Sequence, residues 1–308
     1  MTSAQKPFWE LSRVEKCTKP GVVAYTFDDG PDVYNDRLLA ILKKKNVTAT
    51  FFLLGQMIDK NADNKASLKK ILAHGHQLAS HTYTHTNLES PGMTEAKIKD
   101  EMLRTSDTMF ANAQVRPRYM RAPQGSCEDN CTKIMKGLGY VISYWNADTN
   151  DWQYNEKSPD YIQLSMTEIN KKILTSNPAT DSFILLQHEL KERSVMELTD
   201  VVIDAIHKKG YRFVSMEECI GEAAYTTDSV VPPKPSTVVP PITPTGAPVT
   251  PTGAPVVPPP GTPTTSSTSP NSVKPSIAGG NDKNGAGIKS AAGWTLFLTV
   301  AALGSALF

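Results

Sequence analysis

The chain has 308 residues, 39% of them apolar and 20% charged, with a formal net charge of +1. That balance gives no electrostatic reason to expect nucleic acid or an acidic polymer as a partner, whereas a neutral sugar chain is compatible with it. Up to Glu222 the composition is that of a globular domain, and beyond it Pro, Thr, Ser, Val and Gly dominate almost without charge, so the folded part is expected to hold about 220 residues, enough for a substantial core.

Short apolar runs alternate with helical patterns along that part. A strand is expected over 22–27, bounded by Pro20-Gly21 and Asp29-Gly30-Pro31, and then a helix over 36–45 with a Leu38, Leu39, Ile41, Leu42 stripe. A Val/Thr/Phe-rich strand over 47–54 leads to a helix over 65–73 that stops at His74-Gly75. A short strand at 77–80 precedes a long amphipathic helix over 94–111 with Thr94 as its N-cap. Strand 118–121, helix 131–138 and strand 140–145 follow. A helix over 159–175 has Ser158 as N-cap and Pro at its first position. The buried strand 182–187, a helix over 195–209 stopped by Gly210, strand 211–214 and a helical turn at 216–220 complete the series. Seven β-α units in succession imply a parallel sheet, either closed as a barrel of fewer than eight strands or open and doubly wound.

The four cysteines are even in number, which in a secreted protein suggests two disulfides; four free thiols are the alternative. A Cys17–Cys219 bond would tie the two ends of the globular region together. Cys127 and Cys131 are one helical turn apart, within bonding range. Four segments are expected: an N-terminal extension over 1–16, a catalytic domain over 17–222, a Pro/Thr/Ser-rich stalk over 223–283 and a tail over 284–308. The stalk contains the duplication PTGAPVT, PTGAPVV, and reads as extended and O-glycosylated or as a plain linker. Small residues, a polar spacer and the apolar run from Trp294 have the layout of a GPI-attachment signal, with Asn284 as the attachment residue. Met1 to Glu10 carries no apolar run of the secretory-leader kind, so the anchor reading expects a natural N-terminus further upstream. Asn46 and Asn130 head N-glycosylation tripeptides. From these the protein is expected at the cell surface, attached to plasma membrane or wall through lipid only; it is also expected to be a monomer.

The polar outliers sit where the strands end. Asp28 and Asp29 follow the first strand, His81 and His85 the third, Arg121 the fourth, Asp148, Asp151 and Trp152 the fifth, and His188 the sixth. In a β/α barrel those ends share one rim, so residues 160 apart converge. Asp29, His81 and His85 supply three ligands for a metal, the two histidines sharing one face of a helical turn. Asp28 is then free to take a proton from water, with Arg121 paired to it. His188 is the candidate general acid, oriented by Asp151. Trp152, Tyr144 and Trp145 are aromatic candidates for a sugar ring, with core packing the competing reading for Trp145.

These residues resemble the polysaccharide deacetylase family, carbohydrate esterase family four. Thr26-Phe27-Asp28-Asp29-Gly30, Ser80-His81-Thr82-Tyr83-Thr84-His85, Arg121-Ala122-Pro123-Gln124-Gly125, Asp148-Thr149-Asn150-Asp151-Trp152 and Leu186-Gln187-His188 correspond in order to its five motifs. The resemblance implies a distorted (β/α)7 barrel and one divalent transition metal, Zn2+ first and Co2+ as the alternative, on Asp29, His81 and His85. It implies Asp28 as general base oriented by Arg121, His188 as acid tuned by Asp151, and Trp152 and Leu186 in the acetyl pocket. It also implies the pairs Cys17–Cys219 and Cys127–Cys131, seen in fungal chitin deacetylases. The expected substrate is chitin, with acetylxylan or peptidoglycan as alternatives and non-catalytic wall binding as a rival. One departure stands out: family members commonly carry an aromatic residue at Gln124, whose backbone N–H helps hold the oxyanion. Gln keeps that N–H and changes the groove wall.

Overall fold

The computed structural model describes residues 13–233; the tail around Asn284 and most of the expected stalk lie outside the described residues. Strand β1 (Val22–Asp28) is the centre of the molecule and is buried at every position. Helix α1 (Asn35–Lys44), β2 (Thr50–Leu53), α2 (Gly55–Asp59), α3 (Ala62–Ala73), β3 (Gln77–Ser80), α4 (Glu95–Ala113), β4 (Tyr119–Met120), α5 (Asp129–Gly137) and β5 (Val141–Ile142) follow. Then come β6 (Ala147–Asp148), α6 (Tyr161–Ile169), β7 (Phe183–His188), α7 (Thr199–Lys209), β8 (Arg212–Val214) and α8 (Met216–Ile220). All strand pairs are parallel, in the order β5-β4-β3-β2-β1-β7-β6, with β8 beside the first half of β1. The sheet curls into a distorted (β/α)7 barrel, the first of the two arrangements the succession of units allowed and the one the family resemblance implied.

The strand expected over 140–145 is shorter, β5 at Val141–Ile142, and a separate strand, β6, follows beyond the expected run. β5 pairs with β4, whereas β6 pairs with β7, and no helix lies between them. The Asn146 side chain makes the break: its Oδ1 accepts from the Ile184 N–H at 2.9 Å and its Nδ2 donates to the Ser182 carbonyl at 3.1 Å. Val14 flanks the seam, its N–H donating to Ile142 O at 2.9 Å and its carbonyl accepting from the Tyr144 N–H at 2.7 Å. The packed chain therefore begins before residue 17, the expected start of the domain. It also continues past the expected boundary at 222, because Ala224 O accepts from the Arg118 N–H and the Val230 N–H donates to Gln114 O.

Other departures are local. α6 starts at Tyr161 rather than at 159, and Ser158 Oγ accepts from the Asp160 N–H at 3.3 Å instead of capping the helix. It runs on into a π-helical turn, Asn170–Leu174, and a second such turn, Ser194–Leu198, precedes α7. Thr94 caps α4 as expected, accepting from the Lys97 N–H.

The core is aromatic at its centre, with Tyr25, Phe27 and Phe51 fully buried and ring centroids 4.6 and 5.6 Å apart. Both disulfides are formed, Cys17–Cys219 with Cα atoms 4.6 Å apart and Cys127–Cys131 with Cα atoms 5.1 Å apart. They fit a protein of an oxidising, secretory environment. In the chain-entropy model the first, closing 202 residues, is worth about 5 kcal/mol. Asn46 and Asn130 are both exposed.

Candidate active site

The C-terminal strand ends do converge. Asp28 is the last residue of β1, and Asp29 turns away with a left-handed φ of 78°, bringing its carboxylate toward the end of β3. His81 and His85 do not share a helical turn, contrary to the spacing argument. Thr82 and His85 have φ of 71° and 64°, so residues 81–86 form an irregular loop that folds both imidazoles onto Asp29. Buried Glu101 of α4 holds that loop: its Oε2 accepts from the Tyr83 and Thr84 N–H groups, each at 2.8 Å, and its Oε1 accepts from Thr84 Oγ1 at 2.7 Å.

Asp29 Oδ1 lies 3.3 Å from Nε2 of both histidines, and one donor atom from each residue falls within 4.8 Å of the others. His81 Nδ1 donates to the Arg121 carbonyl at 2.8 Å, which leaves its Nε2 lone pair facing Asp29. Asp29 Oδ1 is buried and has no hydrogen-bond partner among the described residues. An orphaned anionic oxygen beside a nitrogen lone pair is repulsive unless a cation lies between them. The residues present therefore fit a divalent metal, and their N/O donor set suits zinc or a neighbouring transition ion. Burial alone would raise the Asp29 carboxyl; when the imidazoles are protonated, the close approach of His81 and the charges of His188 and His85 lower it to about 2, and a metal would supply that positive charge in their stead.

Arg121 is 1% exposed and lies inside the barrel, not in a surface pair. Its Nη1 donates to Asp28 Oδ1 at 2.7 Å and to Thr26 Oγ1 at 2.8 Å, and its Nη2 donates to Tyr144 O at 3.2 Å. The guanidinium stacks on Phe52, 4.2 Å from the ring centre. Removing one partner of so buried a pair leaves an uncompensated charge, which typically costs about 3–5 kcal/mol. The other oxygen of Asp28 lies 3.7 Å from His81 Nε2, beside the Asp29, His81, His85 cluster.

His188 ends β7. Its Nδ1 donates to Asp151 Oδ1 at 2.8 Å, so its Nε2 is left to face the cavity. Asp151 is fully buried and also accepts from the His188 N–H at 3.0 Å and from Ser194 Oγ at 2.6 Å. Burial would lower the His188 imidazole, yet its bond to Asp151 and that carboxylate's charge push it up to about 9. The same pairing outweighs burial and lowers Asp151.

Asp28, Asp29, His81, His85, Gln124, Trp152, Leu186 and His188 all line one cavity of about 370 Å³. Trp152 is 53% exposed on its rim. Tyr144 is not on the wall: it is buried, with its hydroxyl donating to Cys127 O at 3.1 Å. Trp145 lines the cavity in its place, along with Leu190 and Lys191. The alternation of β5 carries on past its end: Val141 packs in the inner cluster and Ile142 and Tyr144 against the helices, so 145 and not 144 turns inward. Sequence reasoning also missed Glu101, Ser194 and Glu189. The first carried a faint signal as an acid on the apolar face of α4; the others, in a π turn and beside His188, carried none.

Residues 15–143 match the family model described as polysaccharide deacetylase. The chain is 37% identical over 210 residues to a chitin deacetylase of Colletotrichum lindemuthianum, covering 68% of this chain and 83% of the relative. It is 31% identical over 214 residues to a peptidoglycan-N-acetylglucosamine deacetylase of Listeria monocytogenes, of which it spans 42%. The solved structure of the chitin deacetylase from Colletotrichum lindemuthianum superposes with a TM-score of 0.66 at 35% identity, over 70% of this chain and 95% of that one.

Proposed function

Since the chain belongs to the polysaccharide deacetylase family, we propose that it hydrolyses the N-acetyl groups of chitin, releasing acetate and leaving glucosamine units. One observation carries this reading: Asp29, His81, His85, Asp28 and His188 line one cavity open to solvent, with Arg121 paired to Asp28 and Asp151 to His188 from behind its wall. Zn2+ suits the ligands, with Co2+ as the alternative; when bound, such an ion polarises an amide carbonyl and acidifies water.

The protein's own groups divide the remaining work. Asp28, held by Arg121, takes the proton of the attacking water as oxygen adds to the acetyl carbon. The backbone N–H of Gln124 donates to the developing oxyanion. His188, kept protonated by Asp151, gives its proton to the departing amine. Leu186 and Trp152 supply apolar surface for the acetyl methyl group. The peptidoglycan deacetylase relative supports a second substrate, an N-acetylglucosamine unit in peptidoglycan.

Asp28→Asn keeps the shape of the base and removes its basicity. Acetate release from chitin oligomers, acetylxylan and peptidoglycan should fall by about 10²–10⁴-fold, while calorimetric zinc binding persists. A chelator should abolish the activity of the unaltered protein. Retained turnover by Asp28→Asn would overturn the assignment, and the three substrates compared side by side rank the two readings.

A further inference from the structure

The wall of the cavity beside the metal cluster is a hydrogen-bonding surface at Gln124, and its polarity is fixed by the neighbouring loop. Asn87 Oδ1 accepts from the backbone N–H of Glu89 at 2.8 Å. A backbone amide only donates, so the other terminal atom of Asn87 is its NH2 group. That group lies 2.8 Å from the Gln124 side chain and 3.2 Å from Ser126 Oγ. An NH2 group likewise only donates to an amide, so the Gln124 atom it meets is the carbonyl oxygen Oε1. The Gln124 Nε2, with two hydrogens, is therefore the outer end of the side chain and has no partner among the described residues. Gln124 is exposed, lines the cavity and holds a left-handed φ of 58°, a conformation disfavoured for a residue with a side chain. Gly125, which follows with φ 68°, lies with its hydrogen against Trp145, where a Cβ would come within 3.2 Å of the indole.

Resting on the deacetylase reading above, we propose that Gln124 is a specificity-determining residue whose Nε2 donates to an acceptor oxygen of the sugar unit beside the reacting one. Two oxygens on such a unit have the required chemistry, an acetamido carbonyl and a hydroxyl. The wall then reads the polymer by hydrogen bonding. A site that places a donor against a substrate oxygen discriminates strongly against chains that offer none there, since the donor is left unmet.

The test compares the unaltered protein with Gln124→Leu and Gln124→Glu. Glu is the closer match in shape and its near oxygen still accepts from Asn87, but its outer atom is an anionic acceptor. Leu removes the donor without adding an acceptor. Donation predicts the order Gln, Leu, Glu in kcat/KM for the fully acetylated chitin tetramer. Leu should be about 5–10-fold down, carried by KM, and Glu lower still. A role through shape alone predicts Glu nearest to Gln and Leu worst, and that order overturns the proposal.

A tetramer carrying a single acetyl group separates the two acceptors. The Gln/Leu ratio collapses toward one if the partner is the neighbouring acetamido carbonyl, and is kept if it is a hydroxyl. The same order is expected in the calorimetric Kd of the acetylated tetramer, which does not depend on turnover. No acetate release with that order kept sinks the hydrolysis reading alone. Glu binding as tightly as Gln sinks this one.

Discussion

Gly30 follows the two aspartates at the end of β1, and a Cβ added there would fall 1.1 Å from Glu189 Oε1 and 2.1 Å from Glu189 Cδ. Its φ lies outside the left-handed range, so the backbone alone does not demand glycine. The obstacle is the Glu189 carboxyl, which is 1% exposed and whose backbone N–H donates to Asp28 O at 3.3 Å. Gly30→Ala therefore forces either this carboxyl or the turn carrying Asp28 and Asp29 to move. Overpacking of this kind costs about 1–3 kcal/mol. A shift of about 1 Å at the reacting groups costs on the order of 100-fold in rate. The decisive experiment is a double-mutant cycle with Glu189→Ala, followed by urea denaturation and acetate release. Removing the carboxyl makes room for the methyl group, so Gly30→Ala should be much milder in the Glu189→Ala background, with a coupling of about 1–3 kcal/mol. Losses that merely add, to within about 0.5 kcal/mol, would refute the steric account.

Two further outcomes follow from the buried charges. Ser194→Ala removes the 2.6 Å hydrogen bond to Asp151 Oδ2, which helps hold that carboxyl low. Asp151 should then rise and His188 fall from about 9, moving the alkaline limb of the pH–rate profile down by roughly half to one unit; an unmoved limb excludes Ser194 as a positioning residue. Burial raises the Glu189 carboxyl from 4.5 to about 8, so the folded protein keeps a proton that the unfolded chain releases. Stability from this group is thus lost as pH rises from about 4.5 to 8, by up to a few kcal/mol. Glu189→Gln should flatten that decline in chelator-treated protein, as read by chemical denaturation at both ends of the window; an unchanged slope contradicts the assignment. His188 works over a higher window, its contribution fading from its ordinary value of 6.5 toward about 9, and is left in place by this variant.

Much of this architecture was legible because parallel strands buried on both faces read as apolar runs, and polar residues at their C-terminal ends stand out. Asp28, Asp29, Arg121 and His188 were found that way. What escaped depends on non-local geometry. The i, i+4 spacing of His81 and His85 suggests a helix, but two left-handed residues and a carboxylate from α4 dictate a loop. Tyr144 and Trp145 are adjacent aromatics, and which of them faces the cavity follows from the side of β5 that packs against α4 and α5, a tertiary choice. Glu101 and Ser194 act from helices whose sequence pattern reports only which face is buried.

The seam at 143–146 has a bearing on how the groove can vary. Among the described residues, every other consecutive pair of strands is joined through at least one helix, which absorbs changes in loop length on the rim. Here four residues span the gap, while the carbonyls of Ser143 and Tyr144 brace the Arg121 guanidinium and Trp145 forms part of the cavity wall. Lengthening this stretch would loosen the hoop, the brace and the wall in one stroke. The rim loops after β3 and β7 can change length without moving this stitch, so a change of chain-length preference is expected from them, with the width of the groove held by residues 143–146.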